Sequence, residues 1–174
     1  MILPGHLAAG YITTRILLAV KHAGFDPAQT NALLLFGTFA GDFPDIDIAY
    51  HMLKYKTISS SNLSIHRTYF THAPIIWLVL GLIIFFANSS PFYQAIGLLI
   101  WLGPWSHFLG DSIEEGVMWL WPLSTRRFAV SSRKESPITQ PNSFWSHLFK
   151  TYGRKATCYV EIVLVVIAIL LFFR

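Results

Sequence analysis

Apolar residues fill most of this chain in long blocks, and the polar residues gather in the gaps between them. The first block, "PGHLAAGYITTRILLAVK", predicts a helix from about Pro4 to Lys21 whose interior is broken only by Thr13, Thr14 and Arg15. "HAGFDP" then interrupts the pattern, with Gly24 and Pro27 as breakers. A second helix is predicted from about Ala28 to Ala40, ending at Gly41 in "GDFPDID". The third follows "TH" through "APIIWLVLGLIIFFA", with Thr71 as its expected N-cap. After the turn "NSSP", a fourth runs from near Phe92 to about Glu115, with a bend expected at Gly103–Pro104. Residues 120–156 are polar and basic and read as a long loop, and "CYVEIVLVVIAILLFFR" reads as the cleanest membrane helix.

The pattern therefore predicts an all-α fold, a membrane-embedded bundle of about five helices. Composition agrees: the 174 residues are 53% hydrophobic and 13% charged, against about 25% charged in ordinary soluble chains. The length suits one domain, residues 1–174, rather than two. Several apolar runs are shorter than the roughly 20 residues a bilayer crossing needs, so the first two helices are candidates for shallow or tilted insertion. The net charge of +4 comes from no dense basic tract, and no nucleic-acid partner is expected. Cys158 is the single cysteine, which excludes an internal disulfide and a thiolate zinc cluster. "MILPGHLAAG" lacks a basic n-region and Arg15 breaks the apolar run behind it, so no cleavable signal peptide is expected.

Charge placement sets the orientation. If successive helices alternate in direction, the N-terminus, the 41–72 connection and the 120–156 loop share one side. That side holds ten of the thirteen basic residues, with Lys21 and Arg174 opposite and Arg15 inside a helix. The positive-inside rule makes it cytoplasmic in a multi-pass cell-membrane protein. The same alternation gathers the scarce imidazoles and carboxylates: His6, Asp45, Asp47, His66, His72, His107 and Asp111 all reach that face.

His107 and Asp111 stand at i and i+4, about 40° apart on one helical face. That spacing suits a shared divalent cation or, more blandly, a structural hydrogen bond. Asp45 and Asp47 follow Pro44; in an extended turn their side chains face the same way, though an Asp-rich solvated turn is equally common. His66 and His72 can converge only if a helix starts between them. Arg67 is a membrane anchor or a clamp for an anionic oxygen. Six to seven His and Asp donors exceed one tetrahedral zinc site. They suit two or more divalent ions, zinc first and manganese or iron as alternatives, which drive attack of water on phosphate esters. His22, His51 and His147 stay unassigned, and the tryptophans read as an interfacial belt.

"GDFPDID", "HRTYFTH" and "HFLGDSIEEG" followed by "WLWP", behind an early histidine, resemble the membrane-bound metal-dependent hydrolase family, the YdjM-like inner-membrane proteins. That family is remotely similar to the zinc-dependent phospholipase C and P1 nuclease group, which implies an all-helical core. The resemblance implies metal ligation by His6, Asp45, Asp47, His66, His72, His107 and Asp111, with Asp47 and Arg67 as catalytic groups. It also implies a small-molecule or lipid phosphoester substrate beside the lipid bilayer. Two departures from the family pattern stand out: Ala73 replaces a common serine, and Glu114–Glu115 replace small hydroxyl residues. The glutamates could add a ligand, a base or nothing. A non-catalytic protein with a structural metal site is the main alternative, and a metal or ion carrier ranks behind it, because the polar groups sit at one end rather than along a path.

Overall fold

The computed structural model describes residues 1–21, 24–55, 66–131 and 152–174. It is all-helical: α1 (Leu3–Lys21), α2 (Pro27–Ala40), α3 (Ile46–Tyr55), α4 (Pro74–Ala87), α5 (Pro91–Asp111) and α6 (Ala156–Phe172). Short 3₁₀ turns at Phe43–Asp45, His66–Thr68, Phe70–His72 and Tyr152–Arg154 join them. Among the described residues there is no strand, only an isolated bridge between Val117 and Phe128. His22, His147 and residues 132–151 of the predicted loop lie outside the described residues, as do the side chains of His51 and His66.

Local chemistry accounts for the helix ends. Asp26 accepts from the Gln29 amide N–H and the Gln29 side chain returns the bond, a capping box ahead of Pro27 in the first turn. At α4 the structure corrects the expectation for Thr71. The helix begins at Pro74, whose missing N–H needs no acceptor, and Ala73 before it is held extended at φ −99°, ψ 111°. Thr71 lies instead in the Phe70–His72 turn. A second correction is α3, absent from the five-helix reading. Pro44 sits in the opening 3₁₀ turn, where a proline starts a helix rather than blocking one. Asp45 and Asp47 are thus helical, not extended.

α1 and α2 pair antiparallel, as do α4 and α5, and α6 runs beside α1. Leu33, Ala95 and Leu99 form the core, with Leu17, Leu18, Phe25, Phe36, Phe92 and Ile96 packed around them. The outer faces stay apolar: Ile83 and Phe86 on α4, and Ile162, Val163 and Leu170 on α6, are all exposed.

Length is the third correction. Among the described residues no helix is both long and apolar enough to cross a membrane. α6, predicted to be the cleanest membrane helix, has 17 residues and is about 26 Å long at 1.5 Å per residue, against a hydrocarbon core of about 30 Å.

Candidate metal centre

Glycines bring the helix ends into contact. A Cβ on Gly10 of α1 would stand 2.5 Å from the Gly37 carbonyl oxygen, and one on Gly41 would stand 2.5 Å from the His6 carbonyl oxygen. A Cβ on Gly103 of α5 would press on Ala40 at 2.7 Å. Bare backbone at these crossings lets α1, α2 and α5 approach closely, as small residues do wherever helices pack tightly. The start of α1, the end of α2 and the end of α5 therefore meet. His6 stacks on His107 with ring centroids 3.6 Å apart and planes 16° off parallel.

Two groups of three donors assemble there: His6, His107 and Asp111, and Asp45, His72 and His107. His6 Nε2 lies 3.6 Å from Asp111 Oδ1, and His107 Nε2 lies 3.6 Å from Asp45 Oδ1 and 3.7 Å from Asp111 Oδ2. His72 Nε2 lies 3.2 Å from Asp45 Oδ1. Donors on a tetrahedral ion with bonds of about 2.1 Å stand about 3.4 Å apart, so these separations match its edges.

His107 is the clearest test of whether a cation fits. Its Nδ1 stands 3.1 Å from the Gly41 carbonyl oxygen. A carbonyl only accepts, so Nδ1 carries the proton and Nε2 presents a lone pair. That nitrogen is buried without a hydrogen-bond partner, and it faces two carboxylate oxygens that cannot donate to it when ionised. A divalent ion resolves the conflict. One lone pair binds one ion, so His107 completes either group but not both at once.

The surroundings keep His6, His107 and Asp111 in ligating form. Burial, then the nearby His107, holds His6 down at about 3, so its ring is neutral. Burial likewise lowers His107 against the opposing pull of Asp45 and Asp111. For Asp111 burial works upward, but His107, the N-terminal ammonium, Arg67 and His6 together hold it well below the usual carboxylate range. The Met1 ammonium donates to Asp111 Oδ1 at 2.9 Å and Arg67 Nε to Oδ2 at 3.1 Å. His72 runs the other way: burial opposes its protonation, but its bonds to Asp45 and Asp47 prevail and raise it, so a cation would have to displace the Nε2 proton to bind there.

A family model matches residues 1–174, that of the YdjM inner membrane protein. The chain belongs to the YdjM inner membrane protein family. No curated protein and no solved structure matches it.

Within this YdjM-family chain, five of the seven predicted ligands, His6, Asp45, His72, His107 and Asp111, come together in the two groups. Asp47 stands one step back: its Oδ2 is 3.5 Å from His72 Nδ1 and accepts from the Thr71 hydroxyl at 3.1 Å. Residues two apart on a helix point about 200° apart, so the two aspartates reach opposite nitrogens of one imidazole instead of sharing a face. Arg67 also pairs with Glu115, at 3.0 Å.

Both glutamates that depart from the family pattern find structural partners. Glu115 bonds Lys155 at 2.9 Å, and Glu114 accepts from the Ala156 amide and the Thr157 hydroxyl, anchoring the first turn of α6. Glu161 accepts from the amides of Ile2 and Gly5, satisfying first-turn donors of α1, and from the Tyr152 hydroxyl. Sequence reasoning passed over Asp42. Burial, then Asp45, pushes its carboxyl up to about 7, and its Oδ1 has no partner. The signal was the first acidic residue of "GDFPDID". The Gly41 carbonyl left no signal, because a backbone acceptor has no letter in the sequence.

Proposed function

We propose that this chain is a membrane-embedded, metal-dependent hydrolase of phosphoesters, with its metal centre at the cytoplasmic headgroup level. His107 carries the proposal: a buried, tautomer-locked imidazole aimed at two carboxylates is a ligand geometry, and an expensive arrangement without a cation. The bilayer setting is supported by the inner-membrane family and by the apolar outer faces of α4 and α6.

His6, His72, His107, Asp45 and Asp111 would hold the ion or ions, zinc by donor chemistry, with manganese or iron as alternatives. A bound divalent cation supplies Lewis acidity to the ester oxygens and lowers the pKa of a water toward neutrality. The residues do the rest. Asp47 would accept a hydrogen bond from His72 Nδ1–H and fix that ring with Nε2 inward, as carboxylates behind ligating histidines do. Arg67 orients Asp111 and brings positive charge to the site's edge, where an anionic ester oxygen would arrive. Asp45, with a side chain 20% exposed, is the open side of the cluster, and substrate enters from there.

A structural metal site is the second reading. Four of the five donors favour it, with side chains only 0–1% exposed. Metal analysis of purified wild type and His107→Ala, with a phosphoester screen on both, separates the two. The hydrolase reading expects bound metal and turnover in wild type and loss of both in the variant. Bound metal with no turnover on any ester selects the structural reading. Unchanged metal in His107→Ala overturns the site itself.

A further inference from the structure

A groove of about 590 Å³ opens between α1, α2 and α6, away from the metal centre. Its walls are largely apolar, including Leu35, Ile169 and Phe172, and they carry Tyr11, Arg15 and Asn31. Tyr11 and Arg15 are i, i+4 neighbours on one face of α1. Among the described residues no acidic side chain lines the groove. The described side-chain carboxylates sit at the metal-centre end or, for Asp26, at the cap of α2. Arg15 thus places a guanidinium among apolar side chains with no described acidic side chain beside it in the groove, which costs free energy unless an anion reaches it. Arg15 is nine residues from His6 and six from Lys21 along α1, about 14 Å and about 9 Å at 1.5 Å per residue. It lies nearer the helix end opposite the metal centre.

We propose that this groove holds one anionic phospholipid. The phosphate sits on the Arg15 guanidinium, with the Tyr11 hydroxyl and Asn31 amide as further donors. An acyl chain lies along the apolar wall toward Leu7. The charge decides the occupant: a planar guanidinium pairs bidentately with a phosphate, and the apolar lining suits the chain attached to it. The simpler alternative, an arginine reaching past the lipid to water, predicts no choice among lipids.

The test is native mass spectrometry of the full chain released from nanodiscs of equal phosphatidylglycerol and phosphatidylcholine. Wild type should retain phosphatidylglycerol in preference, and Arg15→Gln should lose that preference about tenfold at an unchanged melting temperature. Arg15→Lys should keep part of it. Leu35→Trp, which fills the groove from the exposed side of α2, should lower bound lipid with Arg15 intact. This variant carries the test if Arg15→Gln fails to fold. Equal retention of both lipids by wild type, the same preference in Arg15→Gln, or undiminished lipid in Leu35→Trp overturns the proposal. A dimer that Leu35→Trp dissociates would assign the groove to a second copy of the chain and also overturn it.

Discussion

Gly10→Val tests the idea that glycine crossings build the metal centre. The ideal Cβ at this position lies 2.5 Å from the Gly37 oxygen, 2.8 Å from the Thr38 oxygen and 3.1 Å from the Gly41 Cα. All three atoms are backbone, so none can rotate away. Ordinary carbon–oxygen contacts begin near about 3.3 Å, and α1 must therefore retreat from α2 by close to about 1 Å. Overpacking on this scale costs about 3 kcal/mol, offset by about 0.5 kcal/mol because valine is a better helix former than glycine. A net loss of about 2.5 kcal/mol lowers Tm by about 5–10 °C in a chain of this size. His6 is one turn before Gly10, so the same retreat draws its ring off His107 and Asp111. With metal bonds of about 2.1 Å, a 1 Å displacement (about half a bond length) should weaken zinc binding at least about tenfold. Thermal unfolding and chelator competition read the two effects. Gly24→Ala is the control: its Cβ meets nothing but its φ is +62°, so it should lower Tm by strain alone and leave zinc affinity intact. A Gly10→Val protein that melts within about 1 °C of wild type and binds zinc equally would falsify the packing argument.

Asp47→Asn should weaken metal binding about 10–100-fold through loss of orientation at His72, and chelator competition should show a larger loss for Asp45→Asn. Glu161→Gln weakens the bonds to the Ile2 and Gly5 amides and should cost about 1–3 kcal/mol, read as a lower Tm with little change in metal content. For Glu115, burial works upward but Arg67 and Lys155 hold the carboxyl below its ordinary 4.5. A depressed folded pKa gives stability that is fully present above pH 4.5 and is lost as pH falls through the folded value. The stability gap between wild type and Glu115→Gln should therefore be flat above pH 4.5 and close below it; a gap that widens on acidification contradicts the pairing. Chelation of wild type should lower Tm, since cation removal leaves Asp111 and Asp45 facing bare imidazole nitrogens, and an unchanged melting curve would argue against a bound ion.

The one-dimensional pattern was enough to place the helices that matter and the end of the bundle where the chemistry collects. Hydrophobic blocks separated by Gly, Pro and Asp punctuation define α1, α2, α4, α5 and α6, because block length and breakers are local properties. Alternating helix direction, a consequence of short connections, was enough to send His6, Asp45, His72, His107 and Asp111 to one end. α3 was hidden because "GDFPDID" carries a proline, and whether a proline breaks a helix or opens one depends on the turn around it.

Tertiary structure alone decided the roles within the cluster. The two aspartates converge on His72 from helical turns rather than an extended turn, so Asp47 stands behind the ring while Asp45 stands before it. His107 owes its ligand tautomer to a backbone carbonyl sixty-six residues away, a contact no spacing rule encodes. Glu114, Glu115 and Glu161 look alike in sequence as stray acids, yet each acquires its task from whichever helix end or cation packs against it. Side-chain type and period are written residue by residue, but hydrogen-bond partners are set by which backbones can touch. Here that depended on the glycines at the helix crossings.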